Sequence, residues 1–191
     1  MAYILIFISA VFINNIVLSQ FLGICPFLGI SKKINTALGM TGAVAFVMTV
    51  ATIFTYVIQK AVLVPFNIQF LQTITFVLII AALVQLVEIM LKKVSPVLYH
   101  TLGVYLPLIT TNCVILGVAL LAVKKDLNLV ASVVFAISTA IGFGLALILF
   151  AGIREQLNMV KLPKSMDGIP AALITAGLLA MAFMGFSGIV K

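Results

Sequence analysis

The sequence has little charge and few of the side chains on which soluble enzymes depend. It has no tryptophan, one histidine, four acidic residues and two cysteines, and 8% of its 191 residues are charged, against about 25% in soluble globular domains. It also lacks a Walker loop, a dinucleotide fingerprint, a Cys-x-x-Cys motif and the spacing of a catalytic triad. These absences exclude a large soluble domain, and we expect no catalytic residue in this chain.

Hydrophobic residues make up 64% of the chain, and its mean hydropathy is +1.38. Six apolar runs each reach the roughly 20 residues that a transmembrane helix needs; they cover residues 1–31, 34–59, 61–87, 94–123, 127–153 and 168–190. The first run is too long for the apolar core of a signal peptide, so we expect it to remain in the mature chain. We predict an all-α polytopic membrane protein with six transmembrane helices in a single domain, residues 1–191.

The net charge of +7 comes from basic residues near the ends of these runs. No basic stripe with interleaved aromatic residues is present, so we expect contact with membrane lipid and no nucleic acid. Successive connections between the six predicted spans lie on alternate sides of the membrane, which puts seven basic residues on one side and four on the other. The first set is Lys32, Lys33, Lys92, Lys93, Arg154, Lys161 and Lys164, and the second is Lys60, Lys124, Lys125 and Lys191. The positive-inside rule predicts that the first set is cytoplasmic and that both termini lie outside.

The two cysteines lie in two copies of a short pattern. Cys25-Pro-Phe-Leu-Gly29 belongs to the first apolar run, and Cys113-Val-Ile-Leu-Gly117 belongs to the fourth. A division near residue 95 gives two halves, about 1–95 and 96–191, with three helices each. Because that number is odd, two similar halves enter the membrane in opposite senses. We therefore predict two inverted three-helix repeats related by a pseudo-two-fold axis in the membrane plane.

The first and fourth runs are predicted to be interrupted helices. Proline disfavours helix in the residue before it, so Cys25 is predicted to be non-helical and Pro26 to open the next helical segment. In the second copy, Thr111 or Asn112 is suited to be the N-cap, which leaves Cys113 in the first turn. Both thiols then stand at the start of a half-helix, where backbone N–H groups favour a negatively charged thiolate.

Two glycines, Gly29 and Gly117, follow the cysteines by four residues, which is about one helical turn. They are predicted to let another backbone or a cofactor approach closely.

Three roles for the cysteines remain open at this point. Free cysteine is often a small buried hydrophobe, and a disulfide requires proximity and an oxidising compartment. The matched surroundings favour a third role, in which Cys25 and Cys113 are metal ligands. Two thiolates cannot complete a four-coordinate zinc or iron-sulfur site, so the other two ligands would come from another chain.

Other polar residues in apolar runs either satisfy hydrogen bonds between and within helices or belong to an ion path or the surroundings of a metal site. The candidates are Asn14, Asn15, Gln20, Thr110, Thr111 and Asn112. Glu88 precedes Lys92 by one turn and is either an interfacial ion pair with it or a carboxylate of an ion path. Arg154, Glu155 and Asp167 are assigned to a cytoplasmic connection, where they are either solvated or contact a soluble redox subunit.

Several strings of residues resemble the A-type membrane subunits of the Rnf complexes, which are bacterial and archaeal membrane ferredoxin:NAD oxidoreductases that translocate sodium ions or protons. They lie at residues 14–18, 21–29, 31–33, 95–99, 106–113, 152–155 and 171–177, and the likeness covers essentially the whole chain. The E-type subunit of the sodium-pumping NADH:quinone oxidoreductase is similar over the same blocks. The Asn14-Asn15 pair and Cys25-Pro26-Phe27 favour the Rnf family.

The resemblance implies that Cys25 and Cys113 join two equivalent cysteines of a homologous, oppositely inserted E-type subunit. Together they would hold one [2Fe-2S] cluster inside the cytoplasmic membrane. The chain would then be a subunit of a redox-driven translocase, and the ferredoxin-like and flavin-bearing parts would lie in other subunits. Two other functions remain as alternatives: an inverted-repeat transporter for small molecules or ions without a redox cofactor, and a purely structural membrane scaffold.

Overall fold

A computed structural model describes residues 2–31, 34–66, 69–94, 106–160 and 168–185. All regular structure in these segments is helical, which confirms the all-α prediction. The α-helices are α1 (Ala2–Ile8), α2 (Ile16–Gln20), α3 (Ile24–Ile30), α4 (Ile34–Ile58), α5 (Val64–Phe66), α6 (Gln72–Val94), α7 (Leu106–Thr110), α8 (Cys113–Lys124), α9 (Leu129–Leu157) and α10 (Ile169–Met184). Two π-helical turns, Ser9–Ile13 and Gln59–Leu63, extend α1 and α4, and a 3-10 turn, Gln69–Leu71, precedes α6.

Four helical segments of the described residues are long and apolar enough to cross a membrane: Thr36–Leu63, Gln72–Met90, Pro107–Lys124 and Leu129–Leu157. They correspond to the second through fifth predicted spans. The first and sixth runs contain shorter apolar helices, Ile4–Ile13 and Ile169–Met184. The described residues therefore form the helices of a multi-pass membrane protein.

Two predicted helix boundaries were wrong, because a single basic residue was taken to end an apolar run. The second span continues past Lys60 to Leu63, since the Lys60 ammonium lies 3.2 Å from the hydroxyl of Tyr56, one turn earlier. Long basic side chains can extend along a helix toward the membrane surface, so one of them does not stop the helix. The fifth span likewise continues past residue 153 to Leu157 and includes Arg154.

The core of the molecule is the packing of α9 against α4, the most extensive contact between helices of the described residues. Helix α9 has 29 residues and is about 43 Å long at 1.5 Å per residue, which exceeds a hydrocarbon core of about 30 Å. Small side chains allow the close approach: Gly144 of α9 lies directly against Thr41 of α4. Large side chains such as Phe143 and Phe150 of α9 are fully buried beside this contact.

Four threonines of α4 have their hydroxyl groups satisfied within the helix. The hydroxyl groups of Thr41, Thr49, Thr52 and Thr55 each donate to the carbonyl oxygen four residues earlier, at 2.8 Å. Such bonds remove the cost of placing a hydroxyl in an apolar environment. These residues are therefore part of the helix packing and carry no signal of a binding site.

The first apolar run is broken twice. The π-helical turn ends at Ile13, and Asn15 then caps α2 by accepting a hydrogen bond from the Val17 N–H at 3.2 Å. Helix α2 ends at Gln20, and its C-cap, Phe21, has a positive φ of 54°. Gly23, with φ 82°, leads into α3. The sequence predicted only the second of these two breaks.

Candidate metal centre

Cys113 begins the helix that follows the break in the fourth run, as predicted. Asn112 is the N-cap: its side-chain oxygen accepts from the Val114 N–H at 3.1 Å, and its backbone is extended, with φ −73° and ψ 110°. The Asn112 carbonyl oxygen accepts from the Ile115 N–H at 3.2 Å. Cys113 is therefore the first residue of α8, in the turn where the helix dipole favours negative charge.

Cys25 is helical, which contradicts the prediction that it lies outside the helix. Helix α3 begins at Ile24, so Cys25 and Pro26 both belong to its first turn, where the missing N–H of proline costs no intrahelical hydrogen bond. The conformational change that proline was expected to impose falls instead on Gly23. Its positive φ of 82° is a conformation that glycine adopts without a steric penalty.

The breaks that precede the two cysteines are adjacent in space. A Cβ atom built on Gly23 would collide with Val114 and would lie 3.4 Å from the Asn112 Oδ1 atom, and these two residues flank Cys113 in the chain. A Cβ atom on Gly117 would lie 2.9 Å from the Leu22 side chain. The structure thus brings together the starts of the two helices that carry the cysteines, although Cys25 and Cys113 are 88 residues apart in the sequence.

The meeting point lies at half the length of the longest helix. A Cβ atom on Gly23 would also lie 3.4 Å from the ring of Phe143, which is the central residue of α9. From there α3 runs toward the carboxyl end of α9, where Arg154 contacts it. Helix α8 runs the other way, because its last residue, Lys124, is followed closely by the start of α9. The helices α3 and α8 therefore start together beside the middle of α9 and run in opposite directions from there.

Neither cysteine is in a disulfide, and they differ in exposure. Cys25 is exposed on the surface of the chain, whereas Cys113 is half-buried. Within the described residues no group of three or more histidine, cysteine or acidic side chains is close enough to hold a metal ion. The described part of the chain thus offers at most half of a four-ligand site.

The two glycines that follow the cysteines have different surroundings. Gly117 packs against Leu22 of the first break, so its small size serves contact within the chain. Gly29 is exposed, and a Cβ atom there would make only an ordinary contact, 3.7 Å from Leu108. Because Gly29 lies one turn after Cys25, the two residues share the same exposed side of α3.

Asn15 and Asn112 are buried N-caps of the same kind, but the hydrogen bonding of their amide nitrogens differs. The Asn15 Nδ2 atom donates to the carbonyl oxygens of Val11 at 3.2 Å and Gly142 at 2.8 Å. The Asn112 Nδ2 atom is buried and has no hydrogen-bond partner among the described residues. A buried donor without an acceptor is costly, so this atom marks a place where an acceptor is missing.

Two of the remaining candidates from the sequence have hydrogen-bond partners close by in the chain. Asn14 is exposed and donates to the Ser9 hydroxyl at 3.2 Å, and the Thr111 hydroxyl donates to the Pro107 carbonyl oxygen at 3.0 Å. Thr110 is half-buried at the end of α7, and Glu88 is half-buried on α6. Roles of Glu88 and Thr110 in an ion path remain predictions.

Arg154 was assigned to a cytoplasmic connection, and that assignment was wrong. It lies inside α9, it is 9% exposed, and its Nη1 atom donates to the Leu28 carbonyl oxygen at 2.7 Å and to the Ser31 hydroxyl at 2.9 Å. It thereby holds the carboxyl end of the helix that carries Cys25. The residues that follow it to Leu157 are still helical; Asp167 lies outside the described residues.

These features define a class of protein. The described residues are those of a multi-pass helical membrane protein in which two spans are interrupted, and the two cysteine-bearing helices that follow the interruptions start beside each other. The family model described as "Rnf-Nqr subunit, membrane protein" matches residues 3–190. The chain therefore belongs to the Rnf-Nqr family of membrane subunits.

Several relatives match over nearly their whole length. The chain is 58% identical over 188 residues, 98% of each chain, to the A-type subunit of the Na(+)-translocating ferredoxin:NAD(+) oxidoreductase complex of Acetobacterium woodii. It is 57% identical to the A-type subunit of the ion-translocating oxidoreductase complex of Syntrophotalea carbinolica, over 97% of this chain and 96% of the relative. It is 54% identical to the protein of the same name from Actinobacillus pleuropneumoniae serotype 5b, over 99% and 98%. The resemblance noted in the sequence is thus confirmed.

Proposed function

We propose that this chain is an A-type membrane subunit of an Rnf-type complex that couples electron transfer between ferredoxin and NAD to transport of sodium ions or protons. In that role Cys25 and Cys113 are two of the four cysteine ligands of one [2Fe-2S] cluster, and a homologous E-type membrane subunit supplies the other two. The names of the relatives support the complex. The single observation that supports the cluster is the adjacency of the two cysteine-bearing helix starts.

The donor set of the described residues fits half of such a cluster. The only two cysteines of the chain are both free, and each lies in the first turn of a helix. Asn112, whose buried Nδ2 atom has no acceptor among the described residues, directly precedes Cys113 in the chain. When bound, a [2Fe-2S] cluster would supply a one-electron carrier; the chain itself supplies sulfur ligands, their placement and the surrounding dipoles.

Helix dipoles at the described site would compensate the negative charge of thiolate ligands. Thiolate ligands in hydrocarbon are very costly unless dipoles or counter-charges surround them. The positive end of the α8 dipole lies at Cys113. A bound cluster would supply a one-electron change of charge at this position, and an added negative charge at low dielectric would strengthen the attraction for a cation. This is the physical route by which electron transfer would favour ion binding.

The exposure of Cys25 supports the view that the missing ligands come from a second subunit. Cys25 and Gly29 lie on one exposed side of α3, and a thiolate in contact with lipid tails would be unfavourable. A partner helix that packs on this side would cover the thiolate and bring its own cysteines, and Gly29 would allow its backbone to come close.

The full architecture proposed here has six transmembrane helices in two inverted repeats, about 1–95 and 96–191, in the cytoplasmic membrane of a bacterium or archaeon, with both termini outside. The divergence of α3 and α8 from a common start supports the inverted relation. Since the chain has no dinucleotide fingerprint, nicotinamide and flavin binding belong to further subunits of the complex, together with a ferredoxin-like iron-sulfur subunit.

The test is to replace Cys25 or Cys113 by alanine in the assembled complex and to measure electron paramagnetic resonance together with iron and sulfide content. Each variant is expected to lose one [2Fe-2S] signal and about two irons per complex. Ser19→Ala is the matched control, because it removes a small polar group from the exposed part of the same broken run and should retain the signal.

Two other outcomes would refute the proposal in different ways. Unchanged iron and sulfide content in both cysteine variants, with normal assembly, would contradict the ligand role. Ion transport by the complex without any dependence on a redox donor would support the alternative of an inverted-repeat transporter, whose interrupted helices bind the transported species directly.

A further inference from the structure

The side-chain amide of Asn112 has a hydrogen-bond partner for its oxygen but none for its nitrogen among the described residues. Its oxygen accepts from the Val114 N–H at 3.1 Å, while its Nδ2 atom is buried and finds no acceptor among the described residues. The N-cap bond also fixes the orientation of the amide, because only the oxygen can accept from an N–H group. The two Nδ2 hydrogens must therefore point away from α8.

The chemistry of Nδ2 limits what its missing partner is. An amide nitrogen donates hydrogen bonds and does not coordinate a cation, so the partner is an acceptor and not a transported sodium ion. Asn112 is 3% exposed and precedes Cys113 directly in the chain. Gly23, two residues before Cys25, lies beside the same amide. The unpartnered donor thus belongs to the residue at which the starts of the two cysteine-bearing helices meet.

Asn15 shows what the same amide does when the protein supplies acceptors. Both residues are buried asparagine N-caps, and both accept from the N–H group two residues later. Asn15 Nδ2, however, donates to two backbone carbonyl oxygens. The orphan donor at Asn112 is therefore specific to the Cys113 position and is not a general property of an asparagine cap.

We propose that Asn112 Nδ2 donates a hydrogen bond to a sulfur atom of the cluster, either the Cys113 thiolate or a bridging sulfide, and thereby raises its reduction potential. This inference rests on the proposed function. A hydrogen bond to sulfur stabilises the more negative, reduced state more than the oxidised state, and hydrogen bonds to the sulfurs are among the factors that set the potentials of iron-sulfur clusters. Asn112 is thus a tuning residue, and it binds no iron itself.

The main experiment is a redox titration of the assembled complex with Asn112→Ser, following the signal that disappears in Cys113→Ala. Serine can still cap α8, but it removes the amide donor. We expect the equilibrium constant for reduction to fall on the order of tenfold, which is about 59 mV for a one-electron couple. Asn15→Ser is the control, since it is the same substitution at the other asparagine cap. It also removes the hydrogen bonds from Asn15 Nδ2 to Val11 and Gly142, so it reports any general effect of a weakened cap or of lost packing, and its potential should equal that of the unmodified complex.

A second measurement does not depend on the assembly of a variant. Asparagine labelled with nitrogen-15 at the side-chain amide is incorporated into the unmodified complex, and the reduced cluster is studied by pulsed electron paramagnetic resonance. A hyperfine coupling that changes with the label is expected from Asn112. If Asn112→Ser fails to assemble, the presence or absence of this coupling decides the question.

The possible results separate the inference from the proposed function. If no cluster signal depends on Cys113, the proposed function fails. If the signal depends on Cys113 but Asn112→Ser leaves the potential unchanged, or the label leaves the coupling unchanged, the cluster stands and the inference is wrong. In that case Asn112 Nδ2 donates to another acceptor, such as a water molecule.

Discussion

The guanidinium group of Arg154 donates a 2.7 Å hydrogen bond to the backbone carbonyl oxygen of Leu28, across 126 residues of sequence. Leu28 is near the carboxyl end of α3, where carbonyl groups have no partner within the helix. The same nitrogen also donates to the Ser31 hydroxyl at 2.9 Å, and the rings of Phe27 and Phe150 stack at 4.3 Å. Helix α9 thus fixes both the end and one side of the short helix that carries Cys25.

Replacing Arg154 by methionine is expected to loosen α3 and to destabilise the complex. The change leaves the Leu28 carbonyl oxygen without its donor, at a cost of about 1–3 kcal/mol. Arg154→Lys should have a smaller effect, although a single ammonium does not reproduce the planar fork of donors. The measurement is the thermal unfolding midpoint in detergent. Glu155→Gln, at the exposed neighbouring position, is the control, and equal midpoints for all variants would contradict the anchoring role.

Gly142→Ala is expected to disrupt packing at the middle of α9. Its new Cβ atom would lie 3.1 Å from the Ala10 carbonyl oxygen and 3.2 Å from the Val11 Cα atom, and backbone atoms cannot move aside as a side chain can. Overpacking of this kind costs about 1–3 kcal/mol. Gly152→Ala in the same helix has open space around it, so it should be neutral or stabilising by up to about 1 kcal/mol.

Thermal midpoints of the two glycine variants, measured side by side, decide this prediction. Because both changes add one methyl group to α9, any general effect of alanine on the helix is shared. A Gly142→Ala variant as stable as Gly152→Ala would mean that the first broken run does not pack against α9 as described.

Gly23→Ala should disturb the meeting of the two helix starts. Alanine at a φ of 82° is strained, by roughly 1 kcal/mol or more, and its Cβ atom would collide with the branched side chain of Val114. The expected result is poor assembly or a changed cluster signal in electron paramagnetic resonance. Gly39→Ala, a helical glycine with open space around it, should leave both unchanged. Normal assembly and an unchanged signal in Gly23→Ala would contradict the adjacency of the two breaks.

Local pattern predicted the helical class, the four long spans and the break before Cys113. Apolar runs, proline and capping residues act over a few residues, so the sequence displays them directly. The break at Asn15 was not predicted, because asparagine in an apolar run serves equally well as a cap or as a contact between helices. The hydrogen bond from Asn15 to the Gly142 carbonyl oxygen, 127 residues away, shows that Asn15 is both a cap and a contact between helices.

The errors of sequence interpretation have a common cause. Arg154 was treated as the start of a solvated connection because charge in an apolar sequence usually marks the membrane surface. Its acceptors on α3 are more than 120 residues away and leave no local trace. Similarly, Cys25 was expected to be non-helical because of Pro26, whereas Gly23 supplies the required backbone turn. Tertiary packing decides which distant group a side chain bonds and which of several neighbouring residues makes a backbone turn, so neither can be read from local sequence.

The orientation of the chain can be tested at the two ends of α9. Asn128 and Asn158 flank this helix, and both are exposed. In the arrangement of six spans predicted from the sequence, the connections assigned to the side of Asn158 carry six basic residues besides the buried Arg154, and those assigned to the side of Asn128 carry four. The positive-inside rule therefore predicts that Asn158 is cytoplasmic. A membrane-impermeant maleimide should label Asn128→Cys in intact cells and Asn158→Cys only after permeabilisation. The unmodified chain gives the background from Cys25 and Cys113, and labelling in the reverse order would invert the proposed topology.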